Sequence, residues 1–220
     1  MSFMTSKSTK IALGMTAILM TPLMLVNTSH AAAASPAVAA KNLNELLSGV
    51  NSMTANFSQT IQTNKGKDSK FSGTMAVQRP NLFRWHTTSP ADQLIVADAK
   101  TMWIYDKDLF QAVKQSTGSQ IGDTPAILLS GSAEEIAKNF KISQPDAAKN
   151  YYVLKPKSAQ SKFNKLSISF NGGKPVMMVL NDSVVGKVTS IRFSNVKLNQ
   201  KLPNSQFTFT PPSNVEVIEQ

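Results

Sequence analysis

Apolar residues recur at every second position in run after run of this chain, and turn-forming residues close the runs. Counting by twos from Phe71 gives Phe71, Gly73, Met75 and Val77, while Ser72, Thr74, Ala76 and Gln78 point the other way. Leu166, Ile168 and Phe170 alternate with Ser167 and Ser169, and Asn171-Gly172-Gly173 then supplies a hairpin turn into residues 176–180. A period of two over so few residues specifies strands with one buried face. Turns at short spacing specify antiparallel neighbours. Ala55, Phe57 and Ile61 mark a strand before the polar turn at 64–69, and residues 82–87, 93–97, 101–105 and 187–195 continue the series. Phe207 and Phe209 mark a last strand before Pro211 and Pro212. One twisted antiparallel sheet is predicted, with no internal repeat and no linker.

Three segments break the pattern. Leu43, Leu46, Leu47 and Val50 recur at helical spacing and predict an amphipathic helix over about 39–51. Thr124 suits an N-cap, Pro125 the first helical position and Gly131 the stop, which frames a short helix over 125–130. Ser132 with Glu135 forms a capping box for another helix reaching about Asn139. The 125–130 helix is nearly all apolar (Ala126, Ile127, Leu128, Leu129), and so short a helix has no stability of its own. It must lie against other apolar surface, either as a plug in an ordinary core or as a lid over one side of the sheet.

Period two continued past Val77 brings Arg79 onto the apolar face. An unpaired guanidinium there is costly, so Arg79 either finds acceptors for its donors or, with Pro80 ending the ladder, snorkels to solvent past Val77. Phe83 and Trp85 share one strand face, and His86 lies on the other with Leu82 and Arg84. Met75, Met102, Met177 and Met178 are flexible enough to line an adaptable cavity or to fill a core.

Lys7 and Lys10, the apolar run 11–26 and the small residues Ser29 and Ala31 to Ala34 read as a secretory signal with cleavage near Ala31. Residues 32–220 would then form a single exported domain, and loss of Lys7 and Lys10 lowers the net charge from +10 to +8. A basic exported chain meets anionic lipid or acidic protein rather than nucleic acid, but the lysines are scattered (Lys65, Lys67, Lys70, then Lys155, Lys157, Lys162, Lys165) and read first as a plain solvated surface. There is no cysteine, which excludes disulfides, thiolate chemistry and a lipid-modified N-terminus. After cleavage His86 is the single histidine, without a nucleophile elbow, a metal-ligand set or a glycine-rich phosphate loop. Asp106 and Asp108 bracket a turn. A binding protein without cofactor is expected, not an enzyme.

The blocks RPNLFRWH (79–86), DAKTMWIY (98–105), GDTP (122–125) and FTFTPP (207–212) occur in an order that resembles the outer-membrane lipoprotein carrier (LolA) family across nearly all of the exported chain. The resemblance implies an incomplete antiparallel β-barrel around an apolar cavity under a helical lid. It also implies a monomeric periplasmic chaperone that takes lipoproteins by their acyl chains from an inner-membrane ABC transporter complex and delivers them to an outer-membrane receptor. By the same resemblance Arg79 latches the lid by hydrogen bonds to backbone of the short helices, and Phe83 serves productive hand-over. Trp85, Met75, Met102, Ile127, Leu128 and Leu129 are the further candidates for the lipid cavity. Ala99 stands where the family commonly has glycine, which predicts a different turn geometry before Thr101. A lipid-sensing regulator on the same fold would need a second domain, a hydrolase would need the missing nucleophile, and a structural surface protein would not retain lipid.

Overall fold

The computed structural model describes residue 1 and residues 32–64, 66–117, 125–159, 161, 163–182 and 186–220. Residues 2–31 of the segment expected to be a secretory signal, and Thr124, lie outside the described residues. All twelve strands join one sheet in the order β12-β6-β5-β4-β3-β2-β1-β11-β10-β9-β8-β7. In chain order they are β1 (Ser52–Thr63), β2 (Ser69–Gln78), β3 (Leu82–Ser89), β4 (Gln93–Ala97), β5 (Thr101–Asp106), β6 (Gln111–Ser116), β7 (Phe140–Ser143), β8 (Tyr151–Pro156), β9 (Lys165–Asn171), β10 (Lys174–Asp182), β11 (Lys187–Leu198) and β12 (Glu216–Glu219). Neighbours are antiparallel except β12, which runs parallel to β6. β7 and β12 do not pair with each other, so the sheet is an open, incomplete barrel.

Strand register carries the alternation across the sheet. Met53, Val77, Phe83, Ala97 and Met102 stand side by side on neighbouring strands, as do Ala55, Met75, Trp85 and Ile95. On the other half Ile191, Met178, Ile168 and Tyr152 form a matching row, with Leu180, Leu166, Leu154 and Ile142 beside it. These rows are the inner face. A one-residue slip in any pair would turn a whole row outward.

Gly73 stands opposite Phe57 where a Cβ would overlap the carbonyl of His86 and come within 3.0 Å of the Phe57 ring. Its bare backbone leaves Phe57 free to stack on Trp85 at 3.6 Å between ring centroids.

Helix α1 (Pro36–Ser48) starts at the Ser35 cap and buries Ala39, Leu43 and Leu47 against the inner face. It packs on β7 and on α2 (Ala133–Asn139). The predicted capping box is present, with Glu135 N–H donating to Ser132 Oγ and Ser132 N–H to Glu135 Oε2. The segment Pro125–Leu129 is a single 3-10 turn packed on β10.

The C-terminal segment differs from the expectation. Phe207 ends a 3-10 turn (Asn204–Phe207) instead of lying in a strand, and the last strand comes after the two prolines. The segment crosses the outer face of the sheet, where Phe207 is buried and Phe209 packs on Trp103 and Tyr105. Aromatic alternation over so few residues cannot distinguish a strand from a strap that covers one. Strands β6, β7, β8 and β12 lie outside the predicted series: β6 and β12 are rich in glutamine, lysine or glutamate, β7 has four residues, and β8 opens on four apolar or aromatic residues without alternation.

Ala99 needs no left-handed backbone. Asp98 Oδ1 accepts from both Lys100 N–H and Thr101 N–H at 2.7 Å, so a side chain shapes the turn that glycine would otherwise ease.

Candidate functional site

The inner face has two regions. Under the roof of α1, the 3-10 turn and α2, Leu43, Leu47, Leu128, Leu129 and Ile136 meet Leu154, Leu166, Ile168 and Met178 of β8–β10. About 10 Å³ of free space remains among them. That is no more than one water needs, so the roof is closed onto the sheet. Beside it, over β1–β4, lies an open cleft of about 300 Å³ lined by apolar Ile61, Phe71, Trp85, Ile95, Pro125 and Ile191 together with polar Gln59, Thr87 and Gln93. The first residue of the 3-10 turn therefore stands where the open cleft meets the roofed core.

The sequence candidates divide between these regions. Met75, Phe83, Trp85 and Met102 are all buried on the inner face of β2–β5, with Phe83 and Met102 fully enclosed. Leu128 and Leu129 face the other half, against β8–β10. The side chain of Ile127 lies outside the described residues. Met178 is buried on the inner face, but Met177 pairs with Arg192 and Ser169 and lies on the outer face. Adjacent residues of one strand cannot both face inward, which corrects the grouping of the four methionines.

Sequence reasoning missed Leu43 and Leu47 as partners of the lid leucines, along with the floor they share. The signal was present in the Leu166–Phe170 alternation. What was missing was the knowledge that β9 lies beneath the 3-10 turn.

Arg79 follows the last residue of β2, and its backbone N–H donates to Asn51 O at 2.9 Å. Its Nε and Nη2 are buried and have no acceptor among the described residues. Burial lowers the pKa of this guanidinium, and the Glu134 carboxylate at the start of α2 opposes that shift. A hydrogen bond that ties the roof to this corner of the sheet comes instead from Asn81, whose N–H donates to Ser130 O at 2.9 Å. Asn81 adopts a left-handed conformation at φ 63°, which asparagine tolerates. The inward placement of Arg79 agrees with the strand count, while hydrogen bonds from Nε and Nη2 to roof carbonyls are absent among the described residues.

His86 is half-exposed on the outer face, with Nε2 2.8 Å from Asp92 Oδ1. Lys107 Nζ also meets Asp92, at 3.1 Å. The His86 hydrogen bond and Lys107 together hold the Asp92 carboxyl below its usual range. Asp106 Oδ1 receives Leu109 N–H and Asp108 Oδ2 receives Asp92 N–H, so both carboxylates do shape turns. Among the described residues no cluster of three metal-ligating side chains occurs, and no helix is long and apolar enough to cross a membrane.

An open sheet with an apolar inner face under a roof of short helices defines a non-polar-ligand-binding fold. The match to outer membrane lipoprotein carrier protein LolA spans residues 48–210, and the chain belongs to that family. It is 40% identical over 203 residues to the outer-membrane lipoprotein carrier protein of Azotobacter vinelandii, covering 90% of this chain and 98% of that one. It is 38% identical to the carrier of Legionella pneumophila strain Lens over 82% of this chain and 90% of that one. Among solved structures, an uncharacterized conserved protein from Thermus thermophilus shares the fold at a TM-score of 0.50 and 12% identity, covering 84% of this chain and 100% of that one.

Proposed function

We propose that this chain is a periplasmic, non-enzymatic chaperone that shields the acyl chains of lipoproteins in transit between the two membranes. The observation that supports this reading best is the inner face itself. Its apolar rows run across the sheet, open into the cleft beside Trp85, and continue beneath a roof held mainly by leucine packing.

Magnitudes explain why such a face is kept closed. Three acyl chains of roughly 15 methylenes would gain about 36 kcal/mol on complete transfer from water, at about 0.8 kcal/mol per CH₂. Noncovalent affinity saturates near about 18 to 21 kcal/mol. A roof that must be displaced subtracts its own packing energy from the gain and keeps cargo releasable. Membrane is as apolar as the cavity, so loading needs an external drive. An inner-membrane ABC transporter complex fits that need, and an outer-membrane receptor fits the discharge step. Residues 1–31 fit a cleaved export signal, and residues 32–220 the carrier domain.

The test is release of a labelled lipoprotein from energised inner-membrane vesicles. Adding the protein should yield a soluble complex with one carrier per lipoprotein. No soluble complex under energised conditions would overturn the carrier reading.

A further inference from the structure

The positive charge of this chain is unevenly placed. Residues 140–198 carry ten lysines or arginines against two carboxylates, whereas residues 32–139 carry ten against nine. The fold places five of those ten, Lys141, Lys155, Lys165, Arg192 and Lys197, at outward positions on the strands of one half of the sheet.

On β7, β8, β9, β10, β11, β1 and β2 the outward positions alternate with the apolar inner rows. They include Lys141, Lys155, Lys165, Arg192, Lys197 and Lys70, and no carboxylate. Asp182, the one acid on these strands, has the parity of inward Leu180 and is aligned with Lys187. Five of the six cations are exposed and Lys165 is half-exposed. None of the six is in an ion pair among the described residues.

Lys141 and Lys155 stand directly opposite each other, and the register of β8 with β9 continues to bring Lys165 beside Lys155. Like charges at cross-strand positions disfavour folding, so three lysines in a row have a cost that a solvated face does not require. Between these lysines and Arg192 a shallow groove of about 370 Å³ exposes Tyr151, Met177 and Val179 among serines. The C-terminal strap covers the outer face near β3 and β5 and leaves this part open.

We propose that the outer face of β7–β11 docks the protein onto an anionic phospholipid surface, separately from the cargo-binding inner face. The composition separates this partner from an acidic protein. Protein interfaces favour arginine and disfavour lysine, because a lysine is a strongly hydrated point charge on a flexible stem. Of the five cations named on β7–β11, four are lysines. A diffuse layer of phosphates requires no fixed geometry, and tyrosine and methionine at its centre suit the headgroup boundary. Docking through the outer face would leave the cleft beside Trp85 clear of the bilayer that the same molecule visits.

The test uses protein purified from the exported fraction, without cargo, and measures sedimentation with vesicles of phosphatidylcholine alone or mixed with phosphatidylglycerol. Binding should require phosphatidylglycerol and weaken as salt rises. At about fivefold per cation, Lys155→Gln with Lys165→Gln should lower the partition coefficient about 25-fold. Lys100→Gln with Lys138→Gln, which removes equal charge elsewhere, should leave it unchanged. Lys141→Gln with Lys197→Gln gives a second reading should the first pair disturb folding. Equal binding to both vesicles, equal loss in the Lys100/Lys138 control, or preferential binding of polyglutamate would overturn the proposal. No cargo transfer enters the measurement, so its outcome is independent of the carrier reading.

Discussion

Leu129 gives the sharpest test of whether the roof moves. Its side chain is 1% exposed and lies in the layer where Leu43 and Leu47 of α1 meet Leu166, Ile168 and Met178 of the sheet. So little free space remains there that the vacated volume stays largely open, and Leu129→Ala should cost at least about 3 kcal/mol, the lower bound for a buried leucine. If the 3-10 turn opens as a unit, that loss falls on the closed arrangement and raises the open population roughly 150-fold, at about 1.4 kcal/mol per decade. A ligand that requires the open form gains apparent affinity by the same factor until opening is complete. Hydrogen exchange should therefore accelerate at residues 128–131, while amides of β9 and β10 keep their protection. A fluorescent acyl probe should bind tighter, although the urea midpoint falls. Unchanged or weaker probe binding, with exchange accelerated uniformly across β8–β10, would refute the argument. The leucines would then belong to a static core.

Two further predictions rest on charge. Nε and Nη2 of Arg79 are buried without an acceptor among the described residues, so Arg79→Leu should hold or raise the thermal midpoint. By sharpening the preference for the closed roof it should also weaken the acyl probe. A midpoint lowered by several degrees, with cargo held tightly and not discharged, would refute this and support the latch implied by the family resemblance. For Asp92, a folded-state pKa below the unfolded value means that stability is present above the ordinary aspartate range and is lost as pH falls through the depressed value. The group is near the surface, so Asp92→Asn should cost about 0.5–1 kcal/mol at neutral pH. Urea midpoints of the two proteins should draw together as pH falls below the usual aspartate pKa of about 3.9 to the lowest pH the fold tolerates. A constant difference down to that pH would remove the ion pair as its cause.

The inward direction of Arg79, the shared face of Phe83 and Trp85, the outward direction of His86 and the capping box of α2 were all legible in the sequence. Each follows from backbone period or from a cap that reaches only three residues. Such rules are local, and local geometry does not depend on the rest of the chain. The order β1-β11-β10-β9-β8-β7 was not legible, and it sets what the roof covers. Leu129 meets Met178 because β10 passes beneath the 3-10 turn, and Arg79 lies near Glu134 because Asn81 N–H to Ser130 O ties the β2–β3 turn to the segment that leads into α2.

The same division applies to charge. Along the chain the lysines are scattered and read as an ordinary solvated surface. In the sheet, strands separated by turns and loops lie side by side, so Lys141, Lys155 and Lys165 become neighbours. By itself the sequence determined the period, the capping box of α2, the lack of thiol chemistry and the family. Tertiary structure decided which apolar residues share the roofed core, which ones open to the cleft and where the cations gather. Those contacts join residues far apart in the chain, and only the pairing of strands fixes their distances.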